Sequence, residues 1–459
     1  MKIWINKIRK DYKLVINNFN YSSIIYVEDG IEYSRLLCSS NDEEYLQRWM
    51  DKNSVSEEQA LIMFGLGNGM YVKRFLSDDK CKGKLIVVEP SEKIASMVTE
   101  QLGELYLNSM DRVRIVLNPF VDNSYKNTLH NILLKLDISN VKVAVYPNYH
   151  IIFANEHKLF LEFTDEVADI VKASKSVDER FSDAINKNIE RNKKRINGAL
   201  SITALSNKIP KDIPVFIAAS GPSLSKNVDE LKRAKGKGLI VGLDSSLPAL
   251  LAAGVMPDVY VSIDPTKIVK HFQDERIKEI PVIALLQSPE HVIKKGQKYF
   301  FIFVGDEEIL PELRAARADV MIVPPLGSVA NTAFTTVNMM GFKRIVLVGQ
   351  DLAYTGDKYH AENTVHDEKT YSQETVIYLK GIYGDDVKSS REFRMYKAGF
   401  EKVIEIYPTH VTVDATEGGA YINGTEVKKL SDVIDEWCTE DIIISEYFEN
   451  LPTMMNRLD

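Results

Sequence analysis

The sequence predicts an α/β protein with a Rossmann-like N-terminal domain, a central, mainly parallel α/β domain and a mostly helical C-terminal region. Three observations predict it. Short runs such as ALIMF (60–64), KLIVVE (84–89), IPVFIAA (213–219) and RIVLVG (344–349) are apolar on both faces, as strands covered on both sides are. Helical lengths separate most of them, which fits βαβ units rather than hairpins. Polar, often glycine-containing turns follow strand after strand. A chain of 459 residues accommodates two or three such domains, each with its own core.

Taken in order, residues 1–56 mix short apolar stretches with polar turns and read as a β-rich lead-in. Residues 57–154 form the Rossmann-like domain. ALIMFGLGNGMYVKRFL is a buried strand, a glycine turn (Gly65 to Gly69) and a helix; a second strand closes at Glu89, and VRIVL (113–117) and VKVAVYP (141–147) follow. Residues 155–210 are a helical connector, charged along most of its length, and its basic end from Arg191 to Arg195 reads as a solvated helix face. The central domain, 211–360, holds seven strand candidates: IPVFIAA, LIVGL, DVYVSI, PVIALL, YFFIFV, VMIV and RIVLVG. In the tail, 361–459, helical material is expected at Tyr371–Tyr383 and Arg391–Ile406. A strand-like HVTVDATEGGAYING and one or two amphipathic helices complete it.

Composition excludes several classes. With 57 basic against 65 acidic residues, net charge −8, the chain lacks the concentrated basic surface that phosphate backbones require, so no nucleic-acid partner is expected. Its 45% hydrophobic content excludes a disordered chain. Cys38, Cys81 and Cys438 lie far apart, forming neither a disulfide framework nor a CxxC metal site, as in a reducing compartment. No apolar run approaches the ~20 residues of a membrane helix, and charges at Lys7, Arg9, Lys10, Asp11 and Lys13 interrupt the amino terminus. A cytoplasmic protein with no membrane partner is the expectation.

In parallel sheets ligands bind outside the carboxyl ends of the strands. Those ends carry Ser220-Gly221-Pro222-Ser223, Asp244-Ser245-Ser246, Asp264, Gln287-Ser288, Gly305-Asp306, Gly327-Ser328 and Gln350-Asp351. The turns Ser220 to Leu224 and Gly327 to Asn331 each open a helix, and paired helix amino-termini suit a nucleotide phosphate. In the N-terminal domain, the glycine turn with Glu89 at the end of the next strand resembles the nucleotide site of S-adenosylmethionine-dependent methyltransferases.

The blocks SGPSL, GLDSSLPALLAAGVMPDVYVSIDP, GSVANTAF, VGQDLAYTGDKYHAEN and DATEGGAYING, in this order and spacing, resemble the bacterial motility accessory factor (Maf) glycosyltransferases from about residue 60 to 430. The resemblance implies a cytoplasmic enzyme that transfers a nonulosonic acid of the pseudaminic or legionaminic type from a CMP-activated donor to Ser/Thr of flagellin. It implies a sialyltransferase-like central domain, flagellin as partner, and no cofactor or metal. On this reading Tyr354 and Tyr359 hydrogen-bond the departing phosphate, His360 is the general base, and Asp351 orients His360 or binds the sugar. Ser245, Ser246 and Asn331 are candidates for the cytosine edge, Asp244 and Asp264 for its base or ribose, and Gln350, Ser328 and Gly327 line the pocket. Glu417 and Gly418, in the TEGGA turn, are expected to close over it. Tyr359 stands where members of the family carry a small residue before the His.

Two further readings stay open. The same central domain occurs in archaeal pterin pyrophosphokinases, the MptE-like group, for which Asp244, Asp264 and Asp351 would surround Mg²⁺. The other is a flagellin-binding assembly factor without catalysis.

Overall fold

Strands buried on both faces assemble into two parallel sheets, one in each of the units Met1–Lys172 and Ala173–Asp459 into which the chain divides. The computed structural model describes residues 10–16, 22–28, 31–35, 42–117, 120, 124–136, 138–304, 311–316, 318–355, 358, 360–365 and 376–455.

The first unit opens with an antiparallel sheet of β1 (Lys10–Ile16), β2 (Ser22–Glu28) and β3 (Ile31–Arg35), then helix α1 (Asp42–Asn53). β4 (Ala60–Phe64), α2 (Met70–Ser77), β5 (Lys84–Glu89), α3 (Glu92–Leu107), β6 (Val113–Leu117), α4 (Ser124–Lys135) and β7 (Val141–Val145) follow in βα alternation. These strands are the four runs the sequence marks, paired in parallel in the order β6-β5-β4-β7. Every residue of β4 is buried, so helices cover the sheet on both faces. A short helix α5 (Tyr149–Ile152) leads into α6 (Ala154–Asn192), a helix of 39 residues in which the boundary between the units falls.

The second unit carries α7 (Ile202–Lys208), β8 (Pro214–Ala218), α8 (Leu224–Asn227), α9 (Leu231–Ala234), β9 (Leu239–Leu243), α10 (Leu247–Ala252), β10 (Val259–Ser262), β11 (Val282–Leu285), β12 (Tyr299–Val304), α11 (Pro311–Ala315), β13 (Met321–Val323), α12 (Val329–Met339) and β14 (Arg344–Val348). Beyond residue 361 come β15 (Val376–Lys380), β16 (Asp386–Ser390), α13 (Arg391–Ile406), β17 (Val411–Asp414), β18 (Glu426–Val427) and α14 (Leu430–Trp437). All seven central strand candidates are strands. They lie in one parallel sheet of nine, β13-β12-β11-β10-β9-β8-β14-β17-β18. Alternation along β8 splits the core in two: Val215 and Ile217 pack with Phe334 and Phe400 on one face, Phe216 and Ala218 with Leu224 and Leu250 on the other.

The tail differs from the expectation in two respects. Residues 376–383, expected to be helical, form β15 and the turn of an antiparallel hairpin with β16; the rest of that expected helix, 371–375, lies outside the described residues. In the strand Ile377 and Leu379 are half-buried while Tyr378 and Lys380 are exposed, and pairing with β16 decides for the strand. The expected helix Arg391–Ile406 is present, started by Ser390, whose Oγ accepts from Phe393 N. β17 and β18 join the central sheet, so the region beyond 361 completes the central unit. Among the described residues no helix is long and apolar enough to cross a membrane.

The strand order fixes where a ligand crevice opens. From β8 the chain steps outward through β9 to β13, then returns across β8 to lay down β14 and β17 on the other side. The loops after β8 and β14 therefore leave the sheet at a topological switch point.

Candidate functional site

At that switch point the SGPSL turn after β8 and the GQDLAY loop after β14 interlock. Gly221 N–H donates to Gly349 O at 2.8 Å. The carboxylate of Asp351 accepts from Ser223 N–H at 3.2 Å and from Ser223 Oγ at 2.7 Å. A Cβ at position 221 would lie 2.1 Å from Asp351 Oδ2, so only glycine permits this approach. Asp351 is fully buried, and burial pushes its carboxyl up to about 6 against the pull of the Ser223 donors. Asp414, buried at the end of β17, is likewise lifted to about 6 by burial, and its charge adds to the shift of Asp351.

Ser220 joins three loops. Its hydroxyl donates to Ser245 Oγ at 3.0 Å and lies 3.2 Å from His360 Nδ1, while its carbonyl accepts from Ala361 N–H at 2.8 Å. The expected orientation of His360 by Asp351 is replaced by this contact: both oxygens of Asp351 serve the Ser223 turn, and Ser220 meets the imidazole. Tyr354 donates its backbone N–H to Lys388 O at 2.8 Å and packs its ring beside Phe393, tying the loop to the β15–β16 hairpin. Tyr359 lies outside the described residues, as do Gly305 and Asp306.

The TEGGA turn closes on the same loop. Gly419, at φ +87°, would place a Cβ 2.1 Å from Asp351 O, and Ala420 N–H donates to that oxygen at 2.8 Å. Glu417 and Leu352 flank this contact with left-handed backbones, φ 58° and 50°. Glu417 Oε1 accepts from Asn227 Nδ2 at 3.4 Å, and Gly418 sits beneath the Lys226 ammonium.

Several expected ligand contacts are spent inside the protein. Asp244, fully buried, faces Lys267 Nζ at 2.8 Å with one oxygen and accepts from Ser262 Oγ at 2.8 Å with the other. Ser246 Oγ donates to Ala218 O at 2.6 Å and lies in the core, away from the edge where Ser245 stands. Asn331 donates to Leu326 O and Tyr396 O, and Ser328 Oγ accepts from Asn331 N–H as the cap of α12. Gly327 packs against Met395 and Tyr396 of α13. Gln350 is buried, with no donor to its Oε1 among the described residues. Asp264 caps its own turn through Thr266 N–H and Oγ1. Asp244, Asp264 and Asp351 are thus engaged separately, and no group of three or more His, Cys, Asp or Glu among the described residues is arranged to hold a metal ion. The sequence reading missed Lys267, whose signal is a cation three residues past Asp264 in the loop after β10.

In the first unit the glycine turn is filled from within. A Cβ on Gly67 would fall 1.8 Å from the ring of Tyr146, and one on Gly65 2.3 Å from the ring of Tyr149. The turn's N–H groups are used as well: Leu66 N–H donates to Glu89 at 2.8 Å and Gly67 N–H to Tyr149 Oη at 3.0 Å. The carboxylate expected to hold a ribose instead accepts from Leu66, Ser91 and Tyr149.

A family model described as 6-hydroxymethylpterin diphosphokinase MptE-like matches residues 186–357. An uncharacterized protein of Treponema pallidum (strain Nichols) is 24% identical over 152 residues, 33% of this chain and 71% of that one. The solved structure of the Maf glycosyltransferase from Magnetospirillum magneticum AMB-1 superposes with a TM-score of 0.58 and 13% identity, covering 97% of this chain and 75% of that chain. A likeness at that identity speaks for the fold. The resemblance carried by the SGPSL, GQDLAY and TEGGA blocks therefore extends to the architecture: this chain has the fold of the Maf glycosyltransferase, with an MptE-like segment in its central sheet.

Proposed function

We propose that the protein is a glycosyltransferase that moves a nonulosonic acid from its CMP ester to hydroxyls of flagellin in the cytoplasm. The reading rests chiefly on one observation: Ser220 brings the SGPSL turn, Ser245 and His360 together at the switch point of the central sheet. The fold shared with a Maf glycosyltransferase supports transfer of a sugar, and the resemblance of the motif blocks supports a CMP-activated nonulosonic acid as donor and flagellin as acceptor.

The chemistry runs as a single displacement. The acceptor hydroxyl attacks the anomeric carbon, the bond from that carbon to the CMP phosphate oxygen breaks, and CMP leaves with the electron pair. The Ser220 hydroxyl proton points to Ser245, so Ser220 Oγ accepts from His360 Nδ1–H. That tautomer leaves the basic lone pair on Nε2, which takes the acceptor's proton. The SGPSL turn, held by Asp351, and the Tyr354 hydroxyl receive the departing phosphate.

The match to the MptE-like diphosphokinase model favours a second reading, nucleotide-dependent pyrophosphoryl transfer. Calorimetry with CMP and with ATP, each in Mg²⁺ and in EDTA, separates the two. Binding of CMP that persists in EDTA is expected, followed by a mass increase of one nonulosonic acid on flagellin incubated with enzyme and CMP-sugar. Binding of ATP with Mg²⁺ alone, with no response to CMP, overturns the transferase reading.

A further inference from the structure

The long helix α6 ends against the loops after β10 and β11. Asn192, fully buried, donates its two amide protons to Leu286 O at 2.9 Å and Ser288 O at 2.7 Å. One helical turn earlier, Asn188 donates to Gln287 O at 2.9 Å and Pro265 O at 2.9 Å. Three consecutive carbonyls of the loop after β11 and one of the loop after β10 are thus captured by two side chains. Just past the helix, Arg195 adds bonds to Glu290 O and Ile293 O, so the basic end of the connector is docked at this residue rather than solvated.

From this clamp an unbroken chain of contacts leads to the ligand edge. Ser288 Oγ donates to Ser262 O at 2.9 Å, Ser262 Oγ to Asp244 at 2.8 Å, and Asp244 faces the Lys267 ammonium at 2.8 Å. Lys267 lies in the loop that Asn188 holds by Pro265. Three carbonyls side by side repel one another unless donors lie between them, and a primary amide supplies two donors in one rigid plane.

We infer that Asn188 and Asn192 are positioning residues for ligand binding: they fix the loops after β10 and β11, and with them the Asp244–Lys267 pair next to Ser245, at the sheet edge that receives the nucleotide donor. The inference rests on the transferase reading for its ligand, and on the clamp alone for its mechanics.

The test uses the full chain with Asn188→Asp and Asn192→Asp, which keep shape but remove the donors, and with Asn192→Gln, which restores them on a longer arm. Two measurements are made, amide hydrogen exchange and CMP affinity by calorimetry. Exchange at Thr266, Lys267 and Ser288 is expected to speed up about tenfold in both Asp variants while β8 and β9 exchange as in the parent protein. The CMP dissociation constant is expected to rise about tenfold, with partial recovery in the Gln variant. A uniform speed-up across the sheet, or unchanged loop exchange, overturns the clamp; so does a lower melting temperature with unchanged CMP affinity. If the parent protein itself binds no CMP, the transferase reading falls, and loop exchange alone decides for or against the clamp.

Discussion

The hydroxyl of Tyr149 donates to the carboxylate of Glu89 at 2.9 Å and accepts from Gly67 N–H at 3.0 Å, so one side chain closes the glycine turn of the first unit on both sides. The residues that would cradle a nucleotide are bonded to each other.

Two outcomes follow for that turn. S-adenosylmethionine is expected to leave the melting temperature of the protein unchanged, because a bound ligand stabilises only if it finds the folded site open. Tyr149→Phe removes the shared hydroxyl and leaves Gly67 N–H and Glu89 short of a partner, at about 1–3 kcal/mol of stability. Urea unfolding measures it, and a loss under a few tenths of a kcal/mol would refute the closure.

The same carboxylate gives the stability curve its pH dependence. Burial lifts Glu89 from an ordinary 4.5 to about 7, outweighing its three hydrogen bonds. The folded protein therefore holds this proton more tightly than the unfolded chain. Its contribution, on the order of 3 kcal/mol, is fully present below pH 4.5 and is lost as pH rises through 7. Asp351 and Asp414, lifted from 3.8 to about 6, act with the same sign over a lower window. Unfolding measured at pH 5 and pH 8 should show a flatter slope in Glu89→Gln than in the parent protein. A steeper slope would sink the assignment.

Gly419→Ala tests the contact between the TEGGA turn and Asp351. Its Cβ must enter a left-handed backbone and displace a carbonyl oxygen 2.1 Å away, so a loss of roughly 3–5 kcal/mol is expected. Gly296→Ala serves as the control: its φ is +79°, but nothing lies within 4 Å, leaving only the backbone term of about 1–2 kcal/mol. Equal losses in the two variants would show that the close approach carries no weight.

For transfer itself, His360→Ala is expected to lower the rate about 10²–10⁴-fold with CMP affinity unchanged, the signature of a lost general base. Ser220→Ala, which removes one hydrogen bond to the imidazole, should cost about tenfold. If His360→Ala retains full activity on flagellin, the base lies elsewhere.

Much of the architecture was legible because buried parallel strands announce themselves. ALIMF or RIVLVG, apolar on both faces and flanked by helical lengths, has few other folded fates. The seven central strands and the helix Arg391–Ile406 follow from that pattern. The hairpin of β15 and β16 did not: Val376 to Lys380 is short, half-exposed and close to charged residues, where helix and strand periodicities compete.

The site was legible as a set of turns at strand ends but not as a set of contacts. Asp244 and Ser246 stand two residues apart after one strand. Yet the first is neutralised by Lys267 and the second turned into the core, while Ser245 between them meets Ser220. Nothing local distinguishes the three. Asn188 and Asn192 read as ordinary polar positions of a charged helix, since their partners lie 77 to 99 residues on.

The sequence by itself determined that the segments of β4 to β14 are strands, that their carboxyl ends are polar, and which motif blocks this chain shares with others, because those are properties of neighbouring residues and their periodicity. Only the tertiary structure decided that Glu89 binds its own tyrosine, that Asp351 holds Ser223 and not His360, and that a helix end clamps the ligand-edge loops. Each of these is a choice of partner for a buried polar group. Burial forces such a group to find a partner, and strand order determines which ones are within reach.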